Sequence, residues 1–116
     1  MLIHSFFEKL GLDDKERAVM LSVLRLGAQP ASVIAKHVKF DRTTTYRILK
    51  HLVKLKLISE STSKGVAVFY LEKISDIAHF IEKEKKRFEN LGAEFENLEP
   101  QISGLRAGVQ ELPSIQ

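Results

Sequence analysis

The sequence predicts a mainly α protein with a small β hairpin, followed by a long coiled-coil helix. Three observations carry this. Apolar residues recur at helical spacing in capped segments before Leu57, two short β-prone runs follow across Lys64 and Gly65, and from Ile74 the period changes to seven.

Leu2 to Leu10 is expected to form a short helix with Ile3, Phe6, Phe7 and Leu10 on one face, ended by Gly11. Asp13 and Glu16 have the spacing of a capping box ahead of a helix from Asp14 to Leu26. Ala18, Met20, Leu21, Val23 and Leu24 supply its expected buried face, and Gly27 stops it. Pro30 suits a helix start, so Ala31 to Val38 is the next helix, with Val33, Ile34 and Val38 turned inward. Asp41 is the next N-cap, and Arg42 to Lys56 carries an inner stripe of Thr45, Ile48, Leu49, Leu52 and Leu55. Two helices joined by so tight a turn make a helix-turn-helix. Ile58 to Ser63 and Val66 to Leu71 then form a hairpin, which completes the layout of a winged helix-turn-helix over residues 1–72.

Residues 73–112 follow a heptad pattern, ahead of a short tail at 113–116. The a positions are Ile74, Ile81, Phe88, Phe95, Ile102 and Val109; the d positions are Ile77, Glu84, Leu91, Leu98, Leu105 and Leu112. Glu84 is the one polar member. A helix of this length, about 58 Å at 1.5 Å per residue, cannot bury such a seam against a small domain, so a second copy of the chain is the expected partner. The dimerisation residues are then Ile74, Ile77, Ile81, Phe88, Leu91, Phe95, Leu98, Ile102 and Leu105. Pro100 predicts a kink or break, with Gly104 and Gly108 weakening the turns beyond it. A helical hairpin folded back on itself is the alternative.

Composition narrows the function. The chain is 44% hydrophobic and 28% charged, as folded proteins are, and it has no cysteine for a disulfide, thiolate metal site or thiol nucleophile. The longest apolar stretch, Val66 to Leu71, is too short to cross a bilayer, and the N-terminus lacks the pattern of a signal peptide. A cytoplasmic protein without membrane contact is expected. Net charge is +3, distributed as +5 through Glu72 and −2 from Lys73 onward, which suits a molecule that meets a polyanion with its front part. No phosphate loop, no nucleophile motif and no carboxylate cluster off the coiled-coil surface supports an enzyme, and no cofactor is expected. Asp76, His79 and Glu82 share a helical face, but with no cysteine or second histidine beside them they read as surface residues rather than metal ligands.

The helix after Asp41 carries the sharper chemistry. With Thr45, Leu49 and Leu52 inward, Thr43, Arg47, Lys50 and Lys54 fall on the opposite side, flanked by Arg42, Thr44 and Tyr46. Short hydroxyls allow close approach to a major groove, and an arginine can bond guanine bidentately. Thr43, Thr44 and Arg47 are therefore the expected base-reading residues of a double-stranded DNA-binding protein. Arg42, Tyr46, Lys50, Lys39, Lys54 and Lys64 are the expected phosphate contacts. A winged helix that binds protein, with the heptads recruiting a partner chain, is the rival reading.

The stretches LGLDDKERAVMLSVLRLG, ASVIAKHV, DRTTTYRILKHLVKLKLI and FYLEKISDI resemble the TrmB-like transcriptional regulators, over roughly Phe7 to Ile77, and the likeness continues through ENLEP. Arg42, Thr43 and Tyr46 are its most specific part. The resemblance implies a prokaryotic, sequence-specific regulator with a dimerising helix. Two departures stand out: the family pattern usually has glycine in the helix-turn-helix turn and after the recognition helix, where this sequence has Lys39 and Lys56. Family members also often carry a C-terminal sugar-effector domain. No such domain is evident before Gln116, so the expectation is either a short regulator or the front of a longer one.

Overall fold

A computed structural model describes residues 2–110, with side chains through Arg106. The heptad position at Leu112 and the tail at 113–116 lie outside the described residues. The elements are α1 (Leu2–Lys9), α2 (Asp14–Leu26), α3 (Ala31–Val38), α4 (Arg42–Lys54), β1 (Ser59–Ser63), β2 (Val66–Tyr70) and α5 (Ser75–Gln110). The chain forms two compact units, one through Ile81 and one from Glu82.

In the first unit, α2 opens with the expected capping box: Glu16 N donates to Asp13 Oδ1 at 2.8 Å and Asp13 N to Glu16 Oε1 at 2.9 Å. Helices α2, α3 and α4 then close around one core. Phe7, Val19, Met20, Val23, Ile34, Leu49, Leu52, Leu57 and Phe69 are all essentially inaccessible to water. Val19 belongs to this core although Ala18 and Leu24, expected there, are only half-buried. Val33 is a second correction. It is exposed, because the inner stripe of α3 runs through Ala31, Ile34, Ala35 and half-buried Val38, and residue 33 lies off that line. Ile3 and Phe6 of α1 are likewise exposed, while Phe7 is buried.

Three turns end in the same way, by placing a residue in left-handed backbone. After α1, Gly11 has φ 99°, with Leu12 N donating to Phe7 O and Gly11 N to Glu8 O. After α4, Lys56 has φ 64°, with Leu57 N donating to Leu52 O and Lys56 N to Val53 O. Both are Schellman closures, and the second ends α4 at Lys54, two residues earlier than expected. After α3, Lys39 has φ 65°, and its N–H and that of Phe40 both donate to Ala35 O. Lys39 and Lys56 therefore both adopt the positive-φ backbone that glycine takes up without strain.

Strands β1 and β2 pair antiparallel in register from Ser59–Tyr70 to Ser63–Val66. Lys64 and Gly65, at φ 52° and 80°, make the two-residue turn with both central residues at positive φ that matches strand twist. The hairpin is fixed to the helices through Phe69. Its N–H donates to Gln29 O at 2.9 Å and its carbonyl accepts from Gln29 N at 3.3 Å, while its ring is buried in the core.

Ile74 lies in a turn before α5 and is 81% exposed. Ile77 and Phe80, in the first turns of the helix, pack on the core of the first unit, so the opening d position is already occupied there. In the second unit α5 continues as helix to Gln110 with Pro100 inside it, and the expected break is not present among the described residues. A proline removes one rung of the hydrogen-bond ladder and the turns on either side retain theirs. The helix does not fold back on itself before Gln110. Glu84 accepts from Arg87 Nε and Nη2 at 3.3 and 2.9 Å, which holds its carboxyl below the ordinary range.

Left-handed backbone costs an L-residue about 1–2 kcal/mol, and glycine gives back part of that relief through its freer unfolded chain. Lys56→Gly is therefore expected to raise stability by about 0.5–1 kcal/mol, measured by urea denaturation.

Candidate nucleic-acid interface

Helix α4 is held at its start by Asp41. The Asp41 carboxylate accepts from Thr44 N at 2.7 Å and from Thr44 Oγ1 at 2.9 Å, and Thr45 Oγ1 donates to the Asp41 carbonyl at 2.9 Å. The backbone bond from Thr44, then its hydroxyl, hold the Asp41 carboxyl below its ordinary value. These bonds fix the first turn and account for the burial of Thr45, a hydroxyl residue in the core.

With Thr45, Ile48, Leu49 and Leu52 buried, Arg42, Thr43, Tyr46, Arg47, Lys50 and Lys54 emerge together on the outside of α4. Lys39 and Lys64 are exposed as well, at the turn before α4 and at the hairpin tip. Thr44 differs from its neighbours: it is half-buried and its hydroxyl proton goes to Asp41, so toward a ligand it offers an acceptor.

Tyr46 and Lys50 join α4 to the hairpin. The Tyr46 ring meets Phe69 edge-on, with centroids 6.2 Å apart and planes at 84°. Lys50 Nζ lies 5.8 Å from the Tyr46 centroid and donates to Glu60 Oε1 on β1 at 2.8 Å. That bond raises the Lys50 pKa above its ordinary value. The carboxylate partner was not legible in the sequence, because no acidic residue occurs between Arg42 and Leu57 and Glu60 arrives only through the hairpin register.

A surface depression lies between the start of α3, the start of α4 and β2. Pro30, Ala31 and Ser32 form one wall, Arg42 and Tyr46 the second, and Val66, Ala67 and Phe69 the third. Arg42, Thr43 and Tyr46 line a second depression. Sequence reasoning missed the α3 contribution, though Pro30 at a helix start was the available signal.

The histidines make local contacts. His37 Nδ1 lies 2.8 Å from the hydroxyl of buried Ser22, linking α3 to α2, and His51 Nε2 lies 3.5 Å from Glu16 Oε2. His79 Nδ1 is 4.0 Å from Asp76 Oδ1. Among the described residues no group of three or more His, Cys, Asp or Glu could hold a metal ion, and no helix is long and apolar enough to cross a membrane.

A recognition helix with a polar outer face, braced by a β wing, defines the class of winged-helix DNA-binding transcription regulators. The chain belongs to the TrmB family, described as sugar-specific transcriptional regulators, whose sequence pattern matches residues 7–88. Among solved structures it is similar to a possible transcriptional regulator from Methanosarcina mazei Go1, at 23% identity and a TM-score of 0.59, over 76% of this chain and 80% of that one. It is also similar to TrmBL2, an archaeal chromatin protein with a novel mode of DNA binding, at 14% identity and a TM-score of 0.71. That match covers 98% of this chain but only 44% of TrmBL2. The YusO protein from Bacillus subtilis matches at 18% identity and a TM-score of 0.55, over 95% and 82% of the two chains. At these identities the structures share the fold. No curated protein sequence matches the chain significantly.

The Asp41 cap gives a pH signature. Its contribution is present above the ordinary carboxyl value of 3.8 and is lost as pH falls through the lower value of the folded state. Asp41→Ala should be less stable to heat than the parent at neutral pH, and the gap should close as pH falls below that ordinary value. A second expectation concerns Lys50. Glu60→Gln removes its counter-charge, so duplex DNA should be bound more tightly at a given salt concentration, read by fluorescence anisotropy.

Proposed function

We propose that the protein is a sequence-specific regulator of transcription that binds double-stranded DNA in the cytoplasm as a homodimer on an inverted repeat. The observation that carries this reading is the outer face of α4, on which Thr43, Arg47, Arg42 and Tyr46 stand clear of the core at the capped end of the helix. A helix entering the major groove presents its N-terminal residues to the base edges. Thr43 and Arg47 are the base readers, with Thr44 offering its oxygen from the first turn. Arginine at such a position bonds the O6 and N7 of guanine.

Arg42, Tyr46, Lys54 and Lys39 hold phosphates around this reading face, and Lys64 does so from the wing. Lys50 joins them once DNA phosphate displaces Glu60. No catalytic step and no cofactor enter this account. The homodimer is supported by the apolar seam of the second unit, where Phe88, Phe95 and Ile102 stand roughly half-exposed in the single chain. Two recognition helices carried by a twofold dimer address half-sites about 34 Å apart, or a multiple of that spacing, which makes the operator an inverted repeat.

Titration of genomic fragments at increasing salt tests the reading. A sequence-selective DNA binder loses affinity steeply with salt yet keeps its preferred site, and a protein-docking module does neither. On that site Arg47→Ala should cost about 1–3 kcal/mol and relax preference at one base pair, whereas Lys54→Ala should weaken all sequences alike. Equal losses from both variants on every sequence would remove Arg47 from the reading role.

A further inference from the structure

The second unit offers an apolar stripe interrupted by Glu84, and its layers suit a second copy better in one direction than in the other. In a parallel pair each position faces its own counterpart, so Glu84 meets Glu84 in the seam, and Phe88 and Phe95 each meet an identical ring. The flanking positions fare no better. Residue g of one helix then approaches residue e of the next heptad, which brings Glu94 against the second copy's Glu99 twice.

Reversing one helix changes every one of these encounters. With Phe95 opposite the second copy's Leu91, Phe88 falls opposite Leu98, so each large ring meets a smaller side chain. Glu84 falls opposite Ile102 towards the end of the paired segment, about 27 Å along the axis from its own counterpart, and keeps its bond to Arg87. The e positions now face each other, pairing Lys85 with Glu99 on both sides of the dyad, and Gly92 meets Gly92 beside the Phe95 layers. The one like-charge approach left is Glu94 with its own counterpart at the dyad, a single pair of solvent-exposed side chains.

We infer that two copies of the chain pair antiparallel through Glu82 to Arg106, in the register that sets Phe95 against Leu91 and Lys85 against Glu99 of the second copy. This deepens the homodimer proposed above and rests on it.

The chain has no cysteine, so cysteines introduced singly report the neighbours directly. Glu84→Cys and Ile102→Cys full-length proteins are oxidised separately and as an exchanged mixture, with product masses and sedimentation read together. The expected result is a disulfide-linked heterodimer in the mixture and little covalent homodimer from either variant alone. Self-linkage of Glu84→Cys would overturn the antiparallel direction and leave the dimer standing. A dimer by sedimentation that links in no combination would overturn the register. A monomer that forms no disulfide would overturn the dimer itself, and the direction with it.

Discussion

Phe69 is the residue through which the hairpin is bound to the helices. Its ring is sealed in the core, its backbone exchanges two hydrogen bonds with Gln29 before α3, and its edge meets Tyr46 on α4. A two-stranded hairpin alone is marginal in water, so β1 and β2 owe their order to this anchorage. The order passes on to chemistry. Glu60, paired with Phe69 across the hairpin, reaches Lys50, and Tyr46 lies between Lys50 and Phe69. The position of the wing and the charge on the recognition helix are thereby fixed by the same contact.

The elements of the first unit were legible because each is announced twice, by its period and by its ends. Asp13 with Glu16, Asp41 with Thr44 and Lys64 with Gly65 are local signals that the folded chain uses as such. What the sequence hid is tertiary. Val19 of α2 is buried and Val33 of α3 is exposed against expectation, because helix phase is decided by which neighbours crowd each face, and a two-turn helix such as α3 has too few residues to reveal it. Glu60 is hidden for the same reason, since ten residues of chain separate it from Lys50 and only the hairpin brings them together.

The outer face of α4 was legible as a face, but not in its internal differences. The 100° spacing of α4 identified which side chains point outward, and Arg42, Thr43, Tyr46, Arg47, Lys50 and Lys54 do. It did not distinguish Thr44, half-buried with its hydroxyl engaged by the cap, from the exposed Thr43. Helix α5 poses the same difficulty on a larger scale. Its heptad pattern runs on from Ile74 with Glu84 as the one polar member, yet Ile77 and Phe80 serve the core of the first unit while Phe88 and the apolar seam residues after it remain partly exposed in the single chain.

Three lysines, Lys39, Lys56 and Lys64, occupy backbone that glycine would adopt without strain. Under the proposed function Lys39 and Lys64 thus carry two opposed demands at one position, a turn that favours the absence of a side chain and a polyanion that favours its presence, whereas Lys56 carries only the first. A heat challenge or a design calculation that rewards folding alone would drive these positions toward glycine. Selection for retention on nucleic acid would drive Lys39 and Lys64 back, so the residue found at those two positions measures which pressure the molecule has answered to.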